Sequence, residues 1–191
     1  MKGIRSKKLR AGTLAASGAV ALGLTLVTTS APADSERQGP PDPRKIRMVL
    51  TQGPQFEGAQ NVLVGQELKI VNRTRVQDIG PHFFSFFTEG ALPVTARDNR
   101  KCAEIELPAC EQVARAHNVS RTFNVRRRNV ERGSSGWDAS FSSDEQGDSW
   151  FTDEKGESET RTVTADPGQT LYYLCVIHPQ TMRGSLKVKS G

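Results

Sequence analysis

A thiol, an imidazole and a thioether fall within eight positions near the end of the chain, as Cys175, His178 and Met182 in LYYLCVIHPQTMRGSLKV, residues 171–188. Copper that passes between two oxidation states is served by two imidazoles and a thiolate in a trigonal plane, with a weak axial thioether. Cys175 supplies the thiolate, His178 one imidazole and Met182 the thioether, all from one tight loop. The second imidazole has to come from elsewhere, and the chain has three His residues. His82 stands directly after Pro81 at the start of an apolar run, which makes it the candidate. His117 lies in a polar, helix-like stretch without ligand neighbours and reads as a surface residue. Pro179 biases His178 away from helical geometry, and Gly184 frees the backbone where the loop enters the next extended run.

The elements around these residues read as strands. KIRMVLTQ alternates Ile46, Met48 and Leu50 against polar partners, and NVLVGQELKIVNRT turns at Gly65 and Gln66 before Leu68 and Ile70 alternate again. HFFSFF from His82 is a third strand. ETRTVTADPGQTLYYLC holds two more around a turn at Asp166, Pro167 and Gly168, and GSLKVKS closes with Leu186 and Val188 on one face. Leu171, Tyr173 and Cys175 share a face, so the thiol sits at the end of the core. Strands at both ends with no repeating helix predict an all-β protein, a sandwich.

Between His82 and Cys175 lie 92 residues, more than a simple connection needs. An insertion over about residues 88–160 is therefore expected, partly helical, with PACEQVARAHNV starting a short helix near Pro108. The segment from Trp137 to Arg161 carries eight acids against Lys155 and Arg161 and reads as a solvated loop face, with mutual neutralisation of this half and the basic RTFNVRRRNVERG half across an ordered insertion as the alternative. HFFSFF is apolar on both faces, and the insertion is the nearest cover for the second one.

Cys102 and Cys110 are close in sequence and far from Cys175. In an oxidising compartment they read as a disulfide closing a short loop worth about 2–3 kcal/mol, with a metal-binding pair as the rival. That compartment is suggested by the N-terminus. Lys2, Arg5, Lys7, Lys8 and Arg10 precede the apolar run AGTLAASGAVALGLTLVTT, and Ala31, Pro32 and Ala33 provide an AxA cleavage site. Residues 1–33 are thus expected to be a secretory signal peptide, 34–44 a proline-rich linker and 45–191 the working domain. The formal charge of +5 resides in the leader, since 21 of the 26 Lys and Arg and all 21 Asp and Glu follow it. A neutral exported domain removes the motive for a nucleic-acid partner, and no later segment is long enough to span a bilayer. The expected location is secreted or periplasmic.

Together these residues resemble the cupredoxin family of blue copper proteins. The resemblance rests on NVLVGQELKIVNRT, on GPHFF, and on the pattern YxCxxHPxxMxG formed by Tyr173, Cys175, His178, Pro179, Met182 and Gly184. It implies a Greek-key β-sandwich with one type 1 copper ion, His82, Cys175 and His178 as close ligands and Met182 as the long axial one. It further implies a one-electron carrier rather than an enzyme, with a redox partner protein docking near His178. A copper-delivery or storage protein, or a sandwich interaction module with a structural metal, remain alternatives. Relatives often carry Asn after the first His to tie the ligand loops together; Phe83 stands there, which puts that tie in doubt.

Overall fold

Ile46 and Met48 are buried while Lys45 and Arg47 between them are exposed, the period of a half-buried strand, and Leu68 and Ile70 repeat it. The computed structural model describes residues 42–119, 131–132, 136–139 and 149–191. The expected leader and most of the linker lie outside the described residues. In chain order, β1 (Arg44–Leu50), β2 (Pro54–Gly58), β3 (Asn61–Leu63) and β4 (Glu67–Asn72) lead through the short helix α1 (Val76–Ile79) to β5 (His82–Phe87). Helices α2 (Ala96–Ala103) and α3 (Pro108–Ala116) follow, then β6 (Glu131–Arg132) and β7 (Ser149–Thr152). The chain ends with β8 (Ser158–Thr162), β9 (Thr170–Leu174) and β10 (Arg183–Lys189).

These strands form two mixed sheets, ordered β2-β1-β4-β8 and β3-β10-β9-β5-β7-β6. The fold is the expected all-β sandwich with a partly helical insertion. Phe56 of the first sheet reaches Phe84 and Tyr173 of the second, with ring centroids 5.6 and 5.3 Å apart, so aromatic packing joins the layers. No helix among the described residues is long and apolar enough to cross a membrane.

All six residues of β5 are buried. Phe84 and Phe86 face the sandwich interior, where both meet Trp137 at 5.6 Å. Phe83, on the opposite face, packs against Phe151 of β7 and His117 at the end of α3. The insertion therefore contributes to both faces of β5, and it adds β7 as a further strand beside it.

Three expectations are corrected. His117 is fully buried, with Nε2 2.7 Å from Ser149 Oγ, because β7 and α3 close over it. Part of the acidic segment is not a solvated face: Glu159 pairs with Arg161 at 2.8 Å, and the Arg161 guanidinium lies 4.5 Å over the Trp137 ring. Gly184 needs no unusual backbone angle; a Cβ there would sit 2.5 Å from the Tyr173 hydroxyl, so the missing side chain makes room for the phenol.

Candidate metal centre

The antiparallel pair β9 and β10 brings Leu174 opposite Arg183, which forces residues 175–182 into a compact loop. Cys175 N–H donates to the Met182 carbonyl at 2.8 Å, and the N–H groups of Thr181 and Met182 donate to the His178 carbonyl at 3.3 and 2.9 Å. Backbone bonds thus set the loop shape. β5 lies beside β9, and its first residue, His82, reaches the same end of the sandwich. The ligand atoms of His82, Cys175 and His178 all lie within 4.8 Å of one another. Cys175 Sγ is 3.6 Å from His178 Nδ1, and the two imidazole centroids are 5.2 Å apart. His117 is not among these residues. Met182 is fully buried at the loop's end, tied by its backbone to Cys175 and His178.

The tie that Phe83 cannot make with its side chain is made elsewhere. Its backbone N–H donates to Cys175 Sγ at 3.3 Å, which links the two ligand segments. His82 Nε2 lies 2.8 Å from Thr74 Oγ1. Asn72 Oδ1 accepts from both the N–H and the hydroxyl of Thr74, at 2.9 and 2.6 Å. The Thr74 proton is thus committed to Asn72, and its oxygen accepts from His82 Nε2–H. Asn72 is itself oriented by donating to Thr152 Oγ1 and the Glu154 carbonyl, both at 3.1 Å. With the proton held on Nε2, Nδ1 presents a bare lone pair. That Nδ1 is buried and has no hydrogen-bond partner. A buried acceptor left so is costly unless something fills it, and a metal ion beside a thiol and a second imidazole does. The chain resembles a cupredoxin.

No family model and no curated protein matches the sequence. Among solved structures it is similar to a purple cupredoxin from Nitrosopumilus maritimus, with 12% identity over 78% of this chain and 100% of that one, at a TM-score of 0.39. Auracyanin A from Chloroflexus aurantiacus shares 14% identity over 78% and 100%, at 0.37. Rusticyanin from Thiobacillus ferrooxidans shares 14% over 79% of each chain, at 0.39. What the centre can hold follows from its own donors. A thiol with two imidazoles is the set that selects copper among metals that bind nitrogen and sulfur in trigonal geometry.

Electrostatics prepare the centre for a cation. Burial, then the neighbouring His178, pushes the His82 pKa down from 6.5 to about 4. Burial also lowers His178, partly offset by the Ile79 carbonyl. The Cys175 thiol is pushed up by burial, against backbone N–H groups of Phe83, His178 and Ile177 that favour the thiolate. Without metal the trio is therefore neutral, and metal binding is coupled to loss of the thiol proton. Between about 4 and 6.5 the unfolded chain binds a proton at His82 that the folded protein refuses, so stability rises with pH across that window. The metal-free protein should accordingly lose stability as pH falls from 6.5 towards 4. Urea midpoints measured across the window check this, and a His82→Gln variant should show a shallower dependence.

The structure also shows what presses on the ligand loop from outside. Cys102 and Cys110 are disulfide-bonded and join α2 to α3. Cys102 Sγ lies 3.6 Å from the Val176 carbonyl oxygen, so the bridge packs directly on the loop. Arg183 donates to the Pro93 carbonyl at 3.1 Å and to Asn99 Oδ1 at 3.4 Å, which ties the start of β10 to α2. Neither Thr74 nor α2 was singled out in the sequence. The available signal for α2 was the pair Thr95 and Asp98, which cap each other reciprocally at its N-terminus. Replacing Thr74 by Val keeps its shape and removes the acceptor for His82 Nε2–H. Copper affinity, measured by chelator competition, should fall by about tenfold or more, and Thr74→Ser should restore it.

Proposed function

We propose that the chain is an exported mononuclear type 1 copper protein that carries one electron at a time and is not an enzyme. The observation that supports this most directly is the buried, partnerless Nδ1 of His82, grouped with Cys175 and His178. In this reading His82, Cys175 and His178 would hold the ion, with Met182 as a further, weaker donor. Bound there, copper supplies a one-electron couple whose two states tolerate the same trigonal donor set.

The protein's part is to keep that set unchanged. Loop hydrogen bonds fix Cys175, His178 and Met182, and the Asn72–Thr74 pair fixes the His82 ring, so little has to move when charge changes. Burial of His82 and Cys175 keeps water away from the metal. The sequence supports a secreted or periplasmic location through its basic start, apolar run and AxA site.

The deciding experiment loads the exported protein with Cu(II). An intense blue charge-transfer band that bleaches with a mild reductant and returns on reoxidation, with copper retained, is the expected result. Copper bound without that band, or lost at each cycle, would turn the assignment towards delivery, storage or a structural metal. Met182 has its own test. Met182→Gln replaces a soft thioether by a harder oxygen donor, so copper should stay bound while the reduction potential falls, as voltammetry would show. An unchanged potential and spectrum would remove Met182 from the ligand set.

A further inference from the structure

Glu157 stands in the turn between β7 and β8, far from His82 in sequence, yet side chains join the two. The turn is fastened to the end of β4: the Gly156 N–H donates to the Asn72 carbonyl at 2.8 Å, and the Asn72 N–H donates to the Glu157 carbonyl at 2.9 Å. Gly156 has φ +98°, which a residue with a Cβ rarely adopts, so the chain can reverse there. Glu157 then folds back under its own turn. Its Oε2 accepts from the Thr152 hydroxyl at 2.6 Å and from the Glu154 N–H at 3.3 Å. Thr152 is the register partner of His82 across β5 and β7.

An ionised carboxylate only accepts, so the Thr152 proton is committed to Glu157 and the Thr152 oxygen is left to accept from Asn72 Nδ2 at 3.1 Å. Asn72 Oδ1 takes the Thr74 proton at 2.6 Å, and the Thr74 oxygen lies 2.8 Å from His82 Nε2. Four hydrogen bonds therefore run in one direction, from the imidazole N–H to the carboxylate. Bonds aligned in this way polarise one another, most of all where water is excluded, and Asn72, Thr74, His82 and Thr152 are all buried. The Asn72 amide passes no proton along, so the chain polarises the ring and does not conduct. Glu157 makes no ion pair among the described residues, so no contacting cation cancels its charge. The turn needs an acceptor at this position, but it has no need of a negative charge.

We infer that Glu157 is a positioning residue for the metal centre: its carboxylate, acting through Thr152, Asn72 and Thr74, holds the proton on His82 Nε2 and makes the bare Nδ1 a stronger donor. The inference rests on the type 1 copper reading and adds a residue that tunes the site from outside the donor group. A negative charge at the outer end of the chain favours the more highly charged ion, so Glu157 strengthens Cu(II) binding more than Cu(I) binding and lowers the reduction potential.

Glu157→Gln keeps an oxygen acceptor for both contacts of the turn and removes the charge. The variant should retain the blue band, while its Cu(II) affinity falls at least about fivefold more than its Cu(I) affinity, read by chelator competition and as a more positive potential in voltammetry. Thr152→Val cuts the chain and keeps the carboxylate; it should shift the affinity ratio in the same direction, and Thr152→Ser should restore it. Adding Glu157→Gln to Thr152→Val should then change the ratio by less than about twofold, because the charge has lost its path to the ring. Glu67→Gln, at the exposed start of β4, should also stay below about twofold. In the metal-free protein at neutral pH, NMR should place the His82 ring proton on Nε2, with its resonance moving upfield in Glu157→Gln and in Thr152→Val. An unchanged ratio in Glu157→Gln, fully additive effects in the double variant, or a ring proton on Nδ1 would overturn the inference. Absence of the blue band in the unaltered protein would strike the type 1 copper reading itself, while the ring-proton measurement on the metal-free protein would still decide for or against the chain.

Discussion

Cys175→Ser should abolish the visible band of the copper-loaded protein outright. The band comes from charge transfer between a thiolate and Cu(II), and an alkoxide or alcohol oxygen has no equivalent low-energy donor orbital. Cys175 is fully buried, receives the Phe83 N–H, and lies within 4.8 Å of both other donors, while Cys102 and Cys110 are held in a disulfide and offer no thiolate in its place. His82→Ala should disturb or abolish the band while weakening copper binding, since it removes the one donor contributed by β5. His117→Ala should leave the band in place. It should nevertheless destabilise the protein, because His117 is buried against Phe83 and Phe151 with its Nε2 on Ser149 Oγ. Absorption spectra and copper stoichiometry of the three variants give the answer. A band retained in Cys175→Ser, or lost in His117→Ala, would mean that the centre lies elsewhere.

The second large effect is expected outside the donor group. Trp137→Ala should cost about 3–5 kcal/mol, the range for removing a large buried aromatic side chain. Trp137 is fully buried between the sheets, contacts Phe84 and Phe86, and donates through Nε1 to the Leu68 carbonyl at 3.0 Å. Its backbone N–H donates to the Thr162 carbonyl at 2.7 Å and its carbonyl accepts from Thr164 N–H at 3.0 Å, so the insertion is fastened to the sandwich here. Trp137→Phe, which keeps most of the ring and loses the Nε1 bond, should cost only about 1–3 kcal/mol. Urea unfolding of both variants measures the difference. A loss below about 1 kcal/mol for Trp137→Ala would mean that the sandwich does not depend on the insertion.

Local pattern alone determined much of this protein. The alternation at Ile46, Met48, Leu68 and Ile70 specified strands, because a period of two leaves one face for the core. The spacing of Cys175, His178 and Met182 specified a single loop of candidate donors, because the three are neighbours whatever the rest of the chain does. Pro81 and the apolar run after it marked His82 as the start of a strand. Proximity in sequence also marked Cys102 and Cys110 as a pair.

Other features arise only when distant segments meet. SWFT in β7 is buried at all four positions and so has no alternation to read. His117 looks polar and exposed in its own helix, yet β7 and α3 enclose it. Asn72 and Thr74 look like ordinary residues after a strand; they become the support of the His82 ring only because the chain returns eight residues later, at His82, to the same spot. α2 gains its meaning from the ligand loop roughly eighty residues downstream, against which the Cys102 sulfur packs. Hydrogen-bond satisfaction and burial are properties of the folded contacts, and a contact between distant segments imposes no period on either of them.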